Sequence, residues 1–156
     1  MTVGDESLTA LLVHCKDFHS AVIFDEKGSK VACNESGGEF SESDLQALTE
    51  LFGDRDKAIG GGACLGGHKF DLHRYHPPLV YGRRGDPHDG EGICVARGER
   101  NGKECFAVIT YRLPVISSVA IPQLVQFFRK YVGELEQWDP IMKSTTGLPS
   151  PPGPAF

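Results

Sequence analysis

Residues 63–111 constrain the fold more than any other part of the chain, because short apolar-rich segments there alternate with turn residues at close spacing. Period-two patterning predicts strands at 63–65, 68–75, 79–82, 91–97 and 104–111. The breaks fall at Gly66-Gly67, Pro77-Pro78, Gly85-Asp86-Pro87 and Arg100-Asn101-Gly102. Asn101-Gly102 is the strongest hairpin signal, since the favoured two-residue turn needs a positive φ at both central residues. Strands joined by such short turns pair antiparallel, because a parallel pair needs a crossover of a dozen or more residues.

Helical patterns flank this block. Leu8, Leu11, Leu12 and Cys15 recur at helical spacing, predicting a helix over 7–16 with Ser7 as its N-cap. Ser20-Ala21-Val22-Ile23-Phe24 reads as a buried strand, and Asp25-Glu26-Lys27-Gly28 turns the chain into a second strand, Ser29-Lys30-Val31-Ala32-Cys33. A helix is expected over 41–52, with Ser41 and Asp44 in capping-box spacing and Gly53 ending it. Leu124, Phe128, Tyr131 and Leu135 place a last helix over 119–135. Proline belongs in a first turn, so Pro122 moves its start to Ala120 or Ile121. The order of elements is that of an α+β domain built on an antiparallel sheet. Residues 1–138 are expected to form the domain, and 139–156, rich in Ser, Thr, Gly and Pro, a flexible tail.

Composition narrows the function. At 156 residues, 40% hydrophobic and 24% charged, the chain suits one globular domain. A net charge of −5 argues against a general nucleic-acid binder. The acidic start lacks the pattern of a signal peptide, and no apolar run approaches a membrane span, so a soluble cytoplasmic protein is expected. The five cysteines lack metal-ligand spacing and are expected to act as small packed hydrophobes. No metal or cofactor is expected.

These features, in this order, resemble the profilin family. The likeness runs through Ser20-Ala-Val-Ile-Phe24, Phe40-Ser-Glu-Ser-Asp-Leu-Gln-Ala-Leu48, Leu65-Gly-Gly-His-Lys-Phe70, Arg74, Val80-Tyr-Gly-Arg-Arg-Gly85, Gly92-Ile-Cys-Val95, Ala107-Val-Ile-Thr-Tyr111 and Tyr131-Val132. It implies a central antiparallel sheet with N- and C-terminal helices on one face and shorter helices on the other. It also implies a monomer, associated with the cytoskeleton, that binds monomeric actin, phosphoinositide headgroups and proline-rich segments.

By this resemblance the actin-binding positions are Lys69, Asp71, His73 and Arg74 on one strand, Arg83 and Arg84 on the next, and Gln123, Gln126 and Phe127 on the last helix. Phe127 beside Phe128 suggests that one ring stays near the surface, where an aromatic anchor serves an interface. Lys69, Arg74, Arg83 and Arg84 are the matching phosphoinositide set. The loop entering the helix departs from the family, with Pro122 near the position of an actin-contacting asparagine. The aromatic groove for proline-rich ligands is reduced to Tyr131 and Trp138, because the first helix lacks Trp and Tyr, as in testis-type vertebrate profilins. Polyproline binding is therefore expected to be weak.

Three other readings stand beside this one. Cys64 with His68, His73 or His76 would be the thiol and base of an enzyme, but there is no nucleophile elbow, and Gly60-Gly61-Gly62-Ala63 lacks the lysine of a phosphate loop. A roadblock- or longin-type trafficking scaffold shares the architecture. So does a profilin-fold protein working on phosphoinositides or tubulin.

Overall fold

Strands that are apolar at consecutive positions organise the molecule. In β1 (Ser20–Asp25), Ala21 and Ile23 pack into one core while Val22 and Phe24 pack into another. β6 (Glu91–Arg100) and β7 (Lys103–Arg112) divide the same way: Cys94, Ala96, Ala107 and Ile109 face one side, Ile93, Val95, Phe106 and Val108 the other. A sheet apolar on both faces has to be covered on both. The computed structural model, which describes residues 4–85 and 90–135, shows how that is done. Trp138 and the expected tail 139–156 lie outside the described residues.

The sheet is antiparallel, in the order β2-β1-β7-β6-β5-β4-β3, with β2 spanning Lys30–Cys33, β3 Ala63–Leu65, β4 His68–His76 and β5 Leu79–Arg84. A short β8 (Glu134–Leu135) pairs with β6 beyond the end of β5. Helices α1 (Asp5–Val13) and α4 (Ser117–Phe127) cover one face through Leu8, Leu12, Ala120, Ile121 and Leu124. Helices α2 (Glu42–Thr49) and α3 (Arg55–Gly61) cover the other through Leu45, Leu48 and Ala58. Among the described residues no helix is long and apolar enough to cross a membrane. The expected strands are all present, and Asn101 and Gly102 adopt the positive φ values, 57° and 80°, that their hairpin requires.

The helix ends differ from expectation. α1 begins at Asp5 with Gly4 as N-cap, so Ser7 lies in the first turn, where Asp5 and Glu6 suit the positive end of the helix dipole. Ser41 caps α2, accepting from the Asp44 amide at 3.1 Å. The Asp44 carboxylate accepts from the Gly66 amide at 3.0 Å and so ties α2 to the β3–β4 turn. α2 stops at Thr49 in a 3₁₀ turn, Glu50–Gly53, and α3 follows, capped by Asp54, which accepts from Lys57 at 3.1 Å. α3 was not expected, because Gly60 and Gly61 weaken its pattern and only Ala58 is buried.

α4 starts at Ser117, not at residue 120 or 121, which puts Pro122 in its second turn. The missing N–H would have bonded to the Ser118 carbonyl; both residues are exposed, so that carbonyl faces solvent and is not left buried without a donor. Phe127 and Phe128 are both buried, at 5% and 0% exposure, which overturns the expectation of a surface anchor. The helix widens into one π-helical turn at Phe128–Val132, and Phe127 packs edge-on against Tyr131 with ring centroids 5.1 Å apart.

Arg100 fastens the two terminal elements together. From the end of β6 its guanidinium donates to the Val132 carbonyl at 2.9 Å, to the Tyr131 carbonyl at 3.4 Å and to Asp5 at 2.9 Å. It thereby serves carbonyls that the last helical turn leaves open. Replacing Arg100 with Met, which keeps the aliphatic stem, should cost about 1.5–3 kcal/mol in urea denaturation, the usual worth of charge-assisted hydrogen bonds. Asp5→Ala should cost under about 1 kcal/mol, because that end of the pair lies in water.

Candidate functional site

Coverage of the sheet is uneven. On the α1/α4 side the helices lie over β2, β1, β7 and β6, and the residues that β4 points to this side are Lys69, Asp71, His73, Arg74 and His76, all exposed. Register explains why these residues share a face. Asp71 lies directly opposite Arg83 and Leu72 opposite Gly82, but Arg74, not His73, lies opposite Tyr81. His73 is the extra residue of a bulge, which resets the alternation and brings Arg74 to the side of Asp71 and Arg83. Tyr81, on the same face, packs partly against the core beneath α4.

Between Tyr81 and α4 runs a groove of about 450 Å³. Ser118, Pro122, Gln126 and Arg129 line its helix side at three- and four-residue spacing, with Ile121 and Val125 below them. Burial holds the Tyr81 hydroxyl above its ordinary pKa, with the nearby Arg74 acting in the opposite direction. Leu113, Ile116 and Val119, at 41%, 47% and 43% exposure, add apolar surface where the chain enters α4.

Several expected site residues are thus brought together, and others are not. Lys69, Asp71, His73, Arg74 and Arg83 share one face, and Gln126 borders the groove. Arg84 points to the opposite face, where it lies over the Phe70 ring and pairs with Glu91 at 3.0 Å, so Arg83 and Arg84 do not form one cationic patch. Gln123 donates to Asp17 at 2.6 Å and is turned toward the segment after α1. Phe127 is inside the core. Tyr131, half-buried, keeps an aromatic surface at the helix end with Lys130 over its ring, whereas Trp138 is outside the described residues. Sequence reasoning missed Tyr81, Ser118 and Arg129. The spacing from Ser118 to Arg129 would have revealed one helix face had α4 been started at Ser117.

The thiol–imidazole arrangement weighed above does not form. Cys64 is exposed on β3 opposite Lys69, His68 lies opposite Leu65 so that strand alternation turns it to the other face, and β4 carries His73 and His76 progressively away. Cys64 is also not the packed hydrophobe expected; Cys94 and Cys105 are, and Cys15 and Cys33 are half-buried. No group of three or more His, Cys, Asp or Glu among the described residues is placed to hold a metal. Burial raises the Cys94 thiol and pushes Cys105 up to about 11 from 9.0. In native protein a thiol reagent should modify Cys64 first and Cys94 and Cys105 only after unfolding. Because the folded state holds those two protons more tightly, their stabilising effect is complete below about pH 9 and declines as pH rises toward 11. Melting curves across that range should show the decline, and it should shrink in Cys105→Ala.

Comparison with known proteins agrees with this architecture. A family model described as Profilin matches residues 5–131. The profilin of Schizosaccharomyces pombe superposes with a TM-score of 0.63 at 21% identity, covering 82% of this chain and 98% of that one. Profilin IA of Acanthamoeba castellanii gives 0.62 at 19% identity, covering 77% and 91%. LokiProfilin1, solved in complex with rabbit actin, gives 0.59 at 14% identity, covering 83% and 96%. At such identities these structures share the fold. No curated protein matches the sequence.

Proposed function

Since this chain belongs to the profilin family, we propose that it binds monomeric actin through the α4–β5 groove and the cationic strand face beside it. The observation that carries the reading is the groove between Tyr81 and α4, with Arg74 opposite Tyr81 and Lys69 and Arg83 on the same face of the bare strands. An apolar centre with a charged rim is how protein interfaces are built. Structural neighbours solved with rabbit actin support the same partner. Pro122 takes part from the helix wall, not from a loop, and it offers no donor in place of an asparagine. Losing one interface hydrogen bond costs about 0.5–1.5 kcal/mol, which weakens binding without removing it. The role is that of a monomer acting in the cytoplasm on actin polymerisation.

The test is the sequestering of actin monomers, read as a slowed rise of pyrene-actin fluorescence with titrated protein. Unchanged polymerisation at high excess would falsify the reading. The double variant Arg74→Glu/Arg83→Glu reverses the field of the strand face and should slow association, more visibly at low salt. Lys69, Arg74 and Arg83 also make a site for phosphoinositide headgroups, which then compete with actin.

Proline-rich ligands bind weakly in this reading. α1 carries no aromatic residue, and Tyr131 alone among the described residues keeps a part-exposed ring at the terminal helices. Each missing ring removes about 1 kcal/mol, so the absence of two lowers affinity more than about tenfold. The protein should run through a polyproline column that holds an aromatic-complete profilin, and retention would defeat this part.

A further inference from the structure

We propose that a second, polar cleft, on the sheet face opposite the groove, binds a phosphate monoester. This cleft, of about 280 Å³, lies beside the segment 36–40, with His19, His68, Arg84, Glu91, Thr110 and Arg112 among its lining residues. The size suits a phosphate with a small organic group.

Strand register builds it. Arg84 lies opposite Glu91, and Glu91 opposite Arg112, so three charged side chains form one row across β5, β6 and β7. Glu91 is nearly enclosed, with its side chain 7% exposed. It accepts from Arg84 Nε at 3.1 Å on one oxygen and from Arg112 Nε at 3.3 Å on the other. Two guanidiniums around one carboxylate leave the row with a net positive charge. Arg112 commits only Nε to Glu91; its two terminal nitrogens have no partner among the described residues, and the side chain is 54% exposed.

Thr110 points to a ligand independently. It is 2% exposed, lies two residues before Arg112 on the same face, and its hydroxyl has no hydrogen-bond partner among the described residues. Buried hydroxyls normally find a partner, and leaving one unmatched has a cost that a valine would avoid. An oxyanion in the cleft would accept from Arg112, and from the Thr110 hydroxyl once a small shift of the side chain opens that oxygen to the cleft. Donors arriving from separate directions suit a tetrahedral phosphate better than a planar carboxylate, which a single guanidinium fork already satisfies. His19 and His68 add ring nitrogens, and Glu39, the other acid of the lining, is exposed.

The probes are glycerol 3-phosphate and inorganic phosphate, titrated into ¹⁵N-labelled protein, with cosedimentation on phosphatidic acid vesicles as a separate arm. Saturable shifts of the His19, Ser20, Glu91 and Thr110 amides are expected. Arg112→Ala should weaken binding about tenfold, the scale of a lost charge-assisted contact. Thr110→Val should weaken it severalfold while leaving the melting temperature unchanged or higher, an outcome that a structural role for the hydroxyl would not give. Binding of the free monoester with inert vesicles identifies a soluble ligand. Vesicle binding lost in Arg112→Ala identifies a lipid headgroup as the source of the same phosphate. The proposal fails if neither probe binds, if the shifts fall on the Lys69–Arg83 face, or if both variants bind like wild type. Because the cleft and the groove lie on opposite faces, Arg112→Ala should leave actin sequestration unchanged, so the two readings fail separately.

Discussion

A sheet apolar on both faces is stable only while both faces are kept from water, and the rest of the fold answers to that requirement. Burial of the β6–β7 hairpin on two sides demands a helical layer above and another below, and the chain supplies them from its ends and from its middle respectively. The layers are not equal in reach. α2 and α3 cover Phe70 and Leu72 of β4, so one side of that strand is sealed. α1 and α4 do not extend so far, and the other side carries charge and imidazole instead. A charged strip beside a half-apolar groove is thus the place where the covering layer ends.

The groove's far wall depends on a residue without a side chain. A Cβ at Gly92 would overlap the ring of Tyr111 from the neighbouring strand. With glycine there, the ring packs close to bare backbone and its hydroxyl donates to Ser117 Oγ at 3.3 Å, in the first turn of α4. Burial pushes that hydroxyl up to about 12, so it remains a donor throughout the neutral range. The sheet therefore fixes where α4 begins, and with it where Ser118, Pro122 and Gln126 face the groove. Proline in a second turn is tolerable in such a helix, because packing from below, not the backbone ladder alone, holds it in place.

Features that depend on local chemistry were legible in the sequence. Strand alternation, the Asn101-Gly102 turn and the Ser41 cap each rest on a few adjacent residues, and each appears where expected. The features that were not legible depend on partners remote in sequence. The β4 bulge at His73 needs the register of β5, which no period within β4 reveals. The true start of α4 needs Tyr111, and the burial of Phe127 needs the π turn and Tyr131. α3 hid for a different reason: two glycines, Gly60 and Gly61, lower its propensity, and Asp54 as N-cap was its one local sign.

Arg83 and Arg84 show most directly how sheet geometry divides a sequence motif. Read as a run, Val80-Tyr-Gly-Arg-Arg-Gly85 presents a doubly charged patch. Read on a strand, consecutive side chains leave by opposite faces. Arg83 joins Asp71 and Tyr81 beside the groove, while Arg84 crosses to Phe70 and the enclosed carboxylate of Glu91. That difference governs what a substitution at each position reports. Charge reversal at Arg83 alters the field of the strand face and sets a like charge opposite Asp71, which is exposed and screened by water. The same reversal at Arg84 sets a second carboxylate against a nearly buried one, leaving Arg112 alone to offset both, and the resulting instability would pass for a loss of interface charge. An actin interface probed through Arg84 would thus answer for Glu91, and only the Arg83 side of the strand speaks for the groove.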